Sequence, residues 1–137
     1  YWIHSEFLKI DDVTMSKSKG NFFTFRDLKE QGYSPLAIRY LLLSVPYRKQ
    51  LNFTFEGLQG AEATVERLRN FRTRVHDAKA RDGSNPAVAE QIRTQLAEFE
   101  AAMDDDMNTA VALAAIHNLV REVNSALAAE QLLCDDR

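Results

Sequence analysis

The sequence predicts a mostly α fold: a small β-α-α-β-α connector region over residues 1–53, followed by an antiparallel helical bundle over residues 54–137. Three observations lead there. Apolar residues recur at gaps of three and four from Leu58 to Val75, from Val88 to Met103 and from Leu113 to Leu127, the spacing of one helix face. A capping residue precedes each of these stretches, at Thr54, Asn85 and Asn108 or Thr109. Ahead of residue 54 the apolar runs are short and interrupted by Asp11-Asp12, Gly20-Asn21, Gly32 and Pro46, which suits small elements joined by turns.

Taken in order, Glu6 to Ile10 alternates loosely and reads as a short strand, with a turn at Asp11-Asp12. Thr24-Phe25-Arg26-Asp27 has the form of a capping box opening a short helix that ends at Gly32. Ser34 and Pro35 supply an N-cap and a first-turn proline for a second helix. Its residues Leu36, Ala37, Ile38, Tyr40, Leu41, Leu42 and Leu43 cover nearly every side, a pattern that predicts burial all round, and Pro46 stops it. Gln50 to Phe53 supplies a second short strand.

Thr54 caps a long helix whose inward stripe is Leu58, Ala61, Val65, Leu68, Phe71 and Val75. Glu56 suits the dipole of its first turn, and Gly57 and Gly60 suit the close approach of another element. Residues Asp82 to Pro86 form the clearest linker. The next two helices turn inward Val88, Ile92, Leu96, Phe99 and Met103, then Leu113, Ile116, Val120, Val123 and Leu127. Asp104-Asp105-Asp106 is read as the capped start of the last helix rather than as a metal cluster.

The 137 residues are 45% hydrophobic and 27% charged, which suits one ordinary soluble domain or two small ones. No apolar run reaches the length of a membrane-spanning helix, and no basic-then-apolar leader opens the chain, so no membrane partner and a cytoplasmic location are expected. The chain starts at Tyr1, as a piece of a longer protein would. Cys134 is the single cysteine, and no His/Cys cluster at ligand spacing offers a metal site. Net charge is uneven: +3 over residues 1–53, +2 over 54–81 and −8 over 82–137. An anionic partner would meet the first two segments.

Met15-Ser16-Lys17-Ser18-Lys19-Gly20-Asn21 fits neither a strand nor an amphipathic helix. Gly20 and Asn21 tolerate positive φ, so the segment reads as a loop that bends. Two lysines among hydroxyls suit a polyphosphate, each ammonium being a compact charge with three donors. The same composition also suits a plain solvated loop.

This heptapeptide resembles the second signature motif of the class I aminoacyl-tRNA synthetases, the KMSKS motif, usually Lys-Met-Ser-Lys-Ser. Further blocks narrow the likeness: Asn21-Phe22-Phe23-Thr24-Phe25-Arg26-Asp27-Leu28, Ile38 to Ser44, Tyr47-Arg48, Leu51 to Thr54, Ala102 to Thr109 and Leu119 to Asn124. In order, and over residues 1 to about 128, they resemble cysteinyl-tRNA synthetase.

The resemblance implies a ligase of protein biosynthesis that activates cysteine with ATP to cysteinyl-adenylate and transfers it to tRNA(Cys), monomeric in full-length form. Residues 1–53 would be the end of its catalytic domain and the connector region, and residues 54–137 a tRNA-contacting bundle, cut short. Lys17 matches the motif's second lysine and would be the catalytic cation, with Met15, Ser16, Lys17, Ser18 and Lys19 as the ATP-binding loop. Thr14 stands where the first lysine usually lies and brings no charge, so one phosphate contact is missing or shifted to Lys19. The family's zinc ligands lie upstream, so no metal ligand is expected here, and His4 reads as a packed or hydrogen-bonded structural residue. The first signature motif and the nucleotide-binding sheet are also expected upstream, so this chain alone would be inactive.

His76 and His117 read as helix residues without partners. Arg67, Arg69, Arg72, Arg74, Lys79 and Arg81 form the densest basic run and fan over about half of a helix's circumference. A solvated face and contact with tRNA phosphates are equally open for it, the four arginines being the nucleic-acid-binding candidates. Two rival functions remain: a paralogue that ligates cysteine to an amino sugar in thiol biosynthesis, and a non-catalytic RNA-binding module.

Overall fold

A computed structural model describes residues 1–78 and 82–133; Lys79, Arg81 and Cys134 lie outside the described residues. Along the chain come β1 (Lys9–Ile10), β2 (Val13–Thr14), a 3-10 turn (Lys17–Lys19), α1 (Phe25–Glu30), α2 (Pro35–Leu43), β3 (Asn52–Phe53), α3 (Phe55–Asp77), α4 (Pro86–Asp104) and α5 (Thr109–Ala128). The fold is mostly α, as expected. Two compact units divide within α3, the first ending at Glu66 and the second starting at Arg67. Among the described residues no helix is long and apolar enough to cross a membrane.

The first unit is built on a three-stranded sheet of order β2-β1-β3. β1 pairs antiparallel with β2, Lys9 opposite Thr14 and Ile10 opposite Val13. It pairs in parallel with β3, Lys9 beside Asn52 and Ile10 beside Phe53. The expected strand from Glu6 is shorter than its alternation suggests: the Glu6 N–H donates to the carbonyl of Tyr47 at 2.9 Å, and regular pairing starts only at Lys9. Side chains alternate across a strand, so Ile10 and Phe53 enter the core, each 4% exposed. There they meet Leu28 of α1, Ala37, Ile38 and Leu41 of α2, and Leu58 and Ala61 of α3. Aromatic rings close this core: Phe55 meets Phe23 edge-on at 5.3 Å, Phe53 edge-on at 5.7 Å and Tyr33 at 5.9 Å.

Local signals set the helix starts. Thr24 and Asp27 form the full capping box, the Asp27 N–H donating to Thr24 Oγ1 at 3.2 Å and the Thr24 N–H to Asp27 Oδ2 at 2.7 Å. Thr54 caps α3 by accepting from the Gly57 N–H at 2.9 Å. Ser34 departs from expectation: its side chain makes no cap bond, and its backbone N–H donates instead to Glu62 of α3 at 2.9 Å. α2 is also not buried all round. Ala37, Ile38 and Leu41 face the core, whereas Leu36, Leu42 and Leu43 are exposed, because the unit covers α2 on one face only. Gly57 does sit at a close approach, since a Cβ there would lie 3.0 Å from Thr54 Oγ1 and 3.6 Å from Leu41; Gly60 has no such neighbour. Thr64, absent from the expected stripe, is buried because its hydroxyl donates to the Gly60 carbonyl at 2.9 Å.

In the second unit α4 and α5 form a hairpin, capped at Asn85 and Asn108 as expected. Its core holds Val88, Val123, Ala126 and Leu132, with Phe71 and Val75 of α3 packed against it. Asn85 Nδ2 donates to the Gln131 carbonyl at 3.3 Å, tying the start of α4 to the end of α5 as an antiparallel pair requires. Of the residues expected inward on α5, Val123 is buried and Leu113, Ile116, Val120 and Leu127 are half-buried, while Ala112, Ala115 and Ala126 complete the buried line. With Ala102 of α4, these alanines let the two backbones come close. Leu96 of α4 is exposed rather than inward. Asp104 ends α4, Asp105 is its C-cap, and Asp106 and Met107 take positive φ of 54° and 53°. The acidic triplet therefore closes α4 instead of opening α5.

The Asp27 carboxyl is held below its ordinary pKa by hydrogen bonds from the Thr24 backbone and then its hydroxyl. A lowered folded pKa contributes stability above the unfolded value of 3.8, and that contribution is lost as pH falls through the folded value. Thermal unfolding of Asp27→Ala should therefore show a deficit near neutral pH that shrinks as the pH is lowered past about 4. A deficit of the same size down to about pH 2 would contradict this role.

Candidate phosphate-binding loop

The lysine loop starts from a strained turn that β3 holds in place. Asp11 and Asp12, between β1 and β2, have φ of 48° and 63°, the two positive values of a tight two-residue hairpin. Neither is glycine, so the conformation needs support. The Asp12 N–H donates to Asn52 Oδ1 at 2.8 Å, Asn52 Nδ2 donates to Asp12 Oδ1 at 2.9 Å, and the Asp11 N–H donates to the Phe53 carbonyl at 3.1 Å. The hairpin is thereby fixed to the strand that enters α3.

From Thr14 the chain leaves the sheet and returns seven residues later. Met15 and Phe23, one at each end, are half-buried and pack on the first core. Between them the Ser16 N–H donates to Asn21 Oδ1 at 2.9 Å, and Asn21 Nδ2 donates to the Thr14 carbonyl at 3.3 Å. One side chain thus bridges both ends of the excursion. Within it, Lys19 and Gly20 donate their N–H groups to the Ser16 and Lys17 carbonyls, each at 3.2 Å, making the 3-10 turn. Gly20 has φ of 69°, which favours glycine even though a Cβ there would meet nothing within 4 Å.

These contacts divide the expected ATP-binding residues. Met15 is an anchor in the core. Ser16 and Ser18 share a hydroxyl–hydroxyl hydrogen bond of 2.8 Å at the surface. Lys17 and Lys19 are exposed and make no ion pair among the described residues. The Lys17 ammonium lies over the exposed Phe22 ring, 5.3 Å from its centroid, a contact worth about 0.5–1 kcal/mol at such a site. In the sequence Asn21 stands out only for its permissive backbone; its bridging side chain is visible in the structure alone. Asn21 has no positive φ. An amide one residue beyond a glycine turn was the only signal for it.

The other candidates stand apart from this loop. Arg67, Arg69, Arg72 and Arg74 are all exposed on α3. At about 100° per residue, Arg67 and Arg74 fall on one flank of the Leu68-Phe71-Val75 stripe and Arg69 and Arg72 on the other. They flank that stripe as two pairs. His4 is exposed and stacks on Trp2 at 6.5 Å, instead of being packed. His76 does have a partner, with Nδ1 2.9 Å from Asp77 Oδ1, and His117 is also engaged. Among the described residues no three His, Cys, Asp or Glu side chains gather as metal ligands do.

Replacing Asn21 with alanine should release the loop without unfolding the unit that carries it. Hydrogen exchange at the Ser16 amide should speed up by about tenfold or more, while amides of α2 keep their rates. Unchanged protection at Ser16 would show that Asn21 does not close the loop.

Residues 1–63 match the family model described as tRNA synthetases class I (C) catalytic domain, and residues 98–134 match the DALR domain. A cysteine–tRNA ligase of Koribacter versatilis is 51% identical over 126 residues, covering 92% of this chain and 26% of that protein. Its counterpart in Solibacter usitatus is 46% identical over 127 residues, 93% of this chain and 27% of the relative. The one in Brachyspira hyodysenteriae is 38% identical over 128 residues, again 27% of the relative. The chain spans about a quarter of the length of the curated relatives it matches. Residues 1–63 are thus similar to the catalytic domain of the class I tRNA synthetases, and residues 98–134 to a DALR domain.

Proposed function

We propose that this chain is the part of a cysteine–tRNA ligase that brings two exposed lysines to ATP and leads into the tRNA-contacting helices. The observation that carries the reading is the loop: a turn tied at both ends, with Lys17 and Lys19 exposed and unpaired with any acid among the described residues. The names of the relatives supply cysteine and tRNA to the proposal, and the resemblance of the lysine loop to the second signature motif supplies ATP and tRNA(Cys).

In the first step a carboxylate oxygen of cysteine attacks the α-phosphorus of ATP. The bond from that phosphorus to the bridging oxygen breaks, and pyrophosphate leaves with the electron pair. Negative charge rises on the phosphate oxygens as this happens. A cation that arrives only then lowers the barrier without holding ATP too tightly. Lys17 suits that task, because the Phe22 contact it must give up is weak. The turn can close over bound nucleotide on its two anchors, Met15 and Phe23. Lys19 adds charge on the same turn, and Ser16 and Ser18 offer hydroxyl donors. In the second step a ribose hydroxyl of the tRNA attacks the adenylate carbonyl and AMP leaves. Zinc enters this proposal through the remainder of the protein, with no ligand assigned among the residues described here.

The arginine pairs of α3 are the proposed contacts with the tRNA backbone. Neutralising phosphates makes binding salt-dependent, and each lost contact lowers the salt slope by about 1. In the full-length protein, Arg69→Ala/Arg72→Ala and Arg67→Ala/Arg74→Ala should separate the flanks: the pair in contact lowers the slope by about 2, and the other leaves it unchanged. Equal, unchanged slopes would remove α3 from the interface.

Lys17→Ala in the full-length protein should slow cysteine-dependent pyrophosphate exchange by about 100-fold or more, with a much smaller change in the KM for ATP. An unchanged maximal rate would overturn the assignment of Lys17.

A further inference from the structure

We propose that Lys9 is a second, fixed phosphate-binding cation of this site, standing across the β1–β2 ladder from the uncharged Thr14. The proposal rests on the ATP reading above and adds a residue to it. Lys9 lies directly opposite Thr14 and beside Asn52 in the sheet. Directly opposed residues in an antiparallel pair project from the same face, with Cβ atoms about 4.5–5.5 Å apart. Ile10 turns into the core, so Lys9, its neighbour along the strand, faces the other way and is half-buried. Thr14 is the last strand residue before the loop, and its carbonyl receives the Asn21 bond that closes the loop. The four-carbon stem of Lys9 is long enough to carry an ammonium past the interstrand gap to the mouth of that loop.

The surroundings leave this charge available. Its two lateral neighbours, Thr14 and Asn52, are neutral. The nearby Asp12 carboxylate accepts from Asn52 Nδ2 at 2.9 Å, and Lys9 makes no ion pair among the described residues. A polyphosphate spreads several charges along its length, so cations at separate points suit it better than one. Lys17 and Lys19 lie on the exposed turn, whereas Lys9 is held by a strand between two others. A charge already in place binds ATP before closure, so Lys9 acts on both binding and rate.

The test is pyrophosphate exchange by the full-length protein bearing Lys9→Ala, Lys9→Ala/Thr14→Lys, Lys9→Arg and Lys17→Ala. Lys9→Ala should lower kcat/KM for ATP by about 10- to 100-fold with a raised KM. Lys9→Arg and the double variant, which moves the ammonium to the opposite strand, should recover activity to within about threefold of the parent. Circular dichroism reports folding, and Lys9→Gln replaces the alanine variant if that one unfolds. A Lys9→Ala rate within about twofold of the parent, beside a crippled Lys17→Ala, overturns the proposal and leaves the ATP reading standing. A folded Lys9→Ala whose loss is not recovered by Thr14→Lys makes Lys9 a structural residue and also overturns it. An undiminished Lys17→Ala removes the ATP reading beneath it.

Discussion

The pairing of Ile10 with Phe53 across two parallel strands is the constraint on which the first unit depends. Each strand is only two residues long, too short to stand without the core beneath it. Ile10 and Phe53 supply that core together with Leu58, the largest fully buried side chain. Burying residues of this size contributes about 1.5–3 kcal/mol each, and here it also sets position. With Phe53 in place, Asn52 reaches the Asp11-Asp12 turn, the turn orients β2, and β2 delivers Thr14 to the base of the lysine loop. A one-residue slip in either strand would turn Lys9 inward and Ile10 out.

The loop combines fixed ends with a free middle. Met15 and Phe23 anchor it by apolar packing, and Asn21 joins the ends by hydrogen bonds that cost little to stretch. The ammonium groups are left to the exposed turn. Such a division suits charge that must arrive late in a reaction, since closure then requires no rearrangement of the core. The opposite arrangement, with lysines packed in the interior, would carry a desolvation cost at every stage.

Much of this was legible in the sequence because helices announce themselves locally. The capping box at Thr24 and Asp27 and the caps at Thr54, Asn85 and Asn108 are short-range patterns, and they formed, while the apolar stripes marked the helices without fixing every inward residue. What escaped depended on distant residues. The Asp11-Asp12 turn was legible, but β2 beyond it forms because Asn52, forty residues along, holds that turn in place. The buried line of α5 follows alanines rather than leucines, since close helix contact favours small residues over the most hydrophobic ones. Leu42 and Leu43 lie outside the covered face of α2, which composition alone does not reveal. The lysine motif identified the loop, while the bridging role of Asn21 and the register of Lys9 with Thr14 emerged only from three dimensions.

The most direct measurement is a crystal structure of the full-length protein with a stable mimic of the pentacoordinate transition state of adenylate formation. Lys17 should be lifted from the Phe22 ring, with its Nζ about 3 Å from an oxygen of the mimic, and the Ser16–Asn21–Thr14 bonds should be retained. A fully ordered mimic beyond the reach of Lys17, with that ammonium still over Phe22, would contradict the role of Lys17.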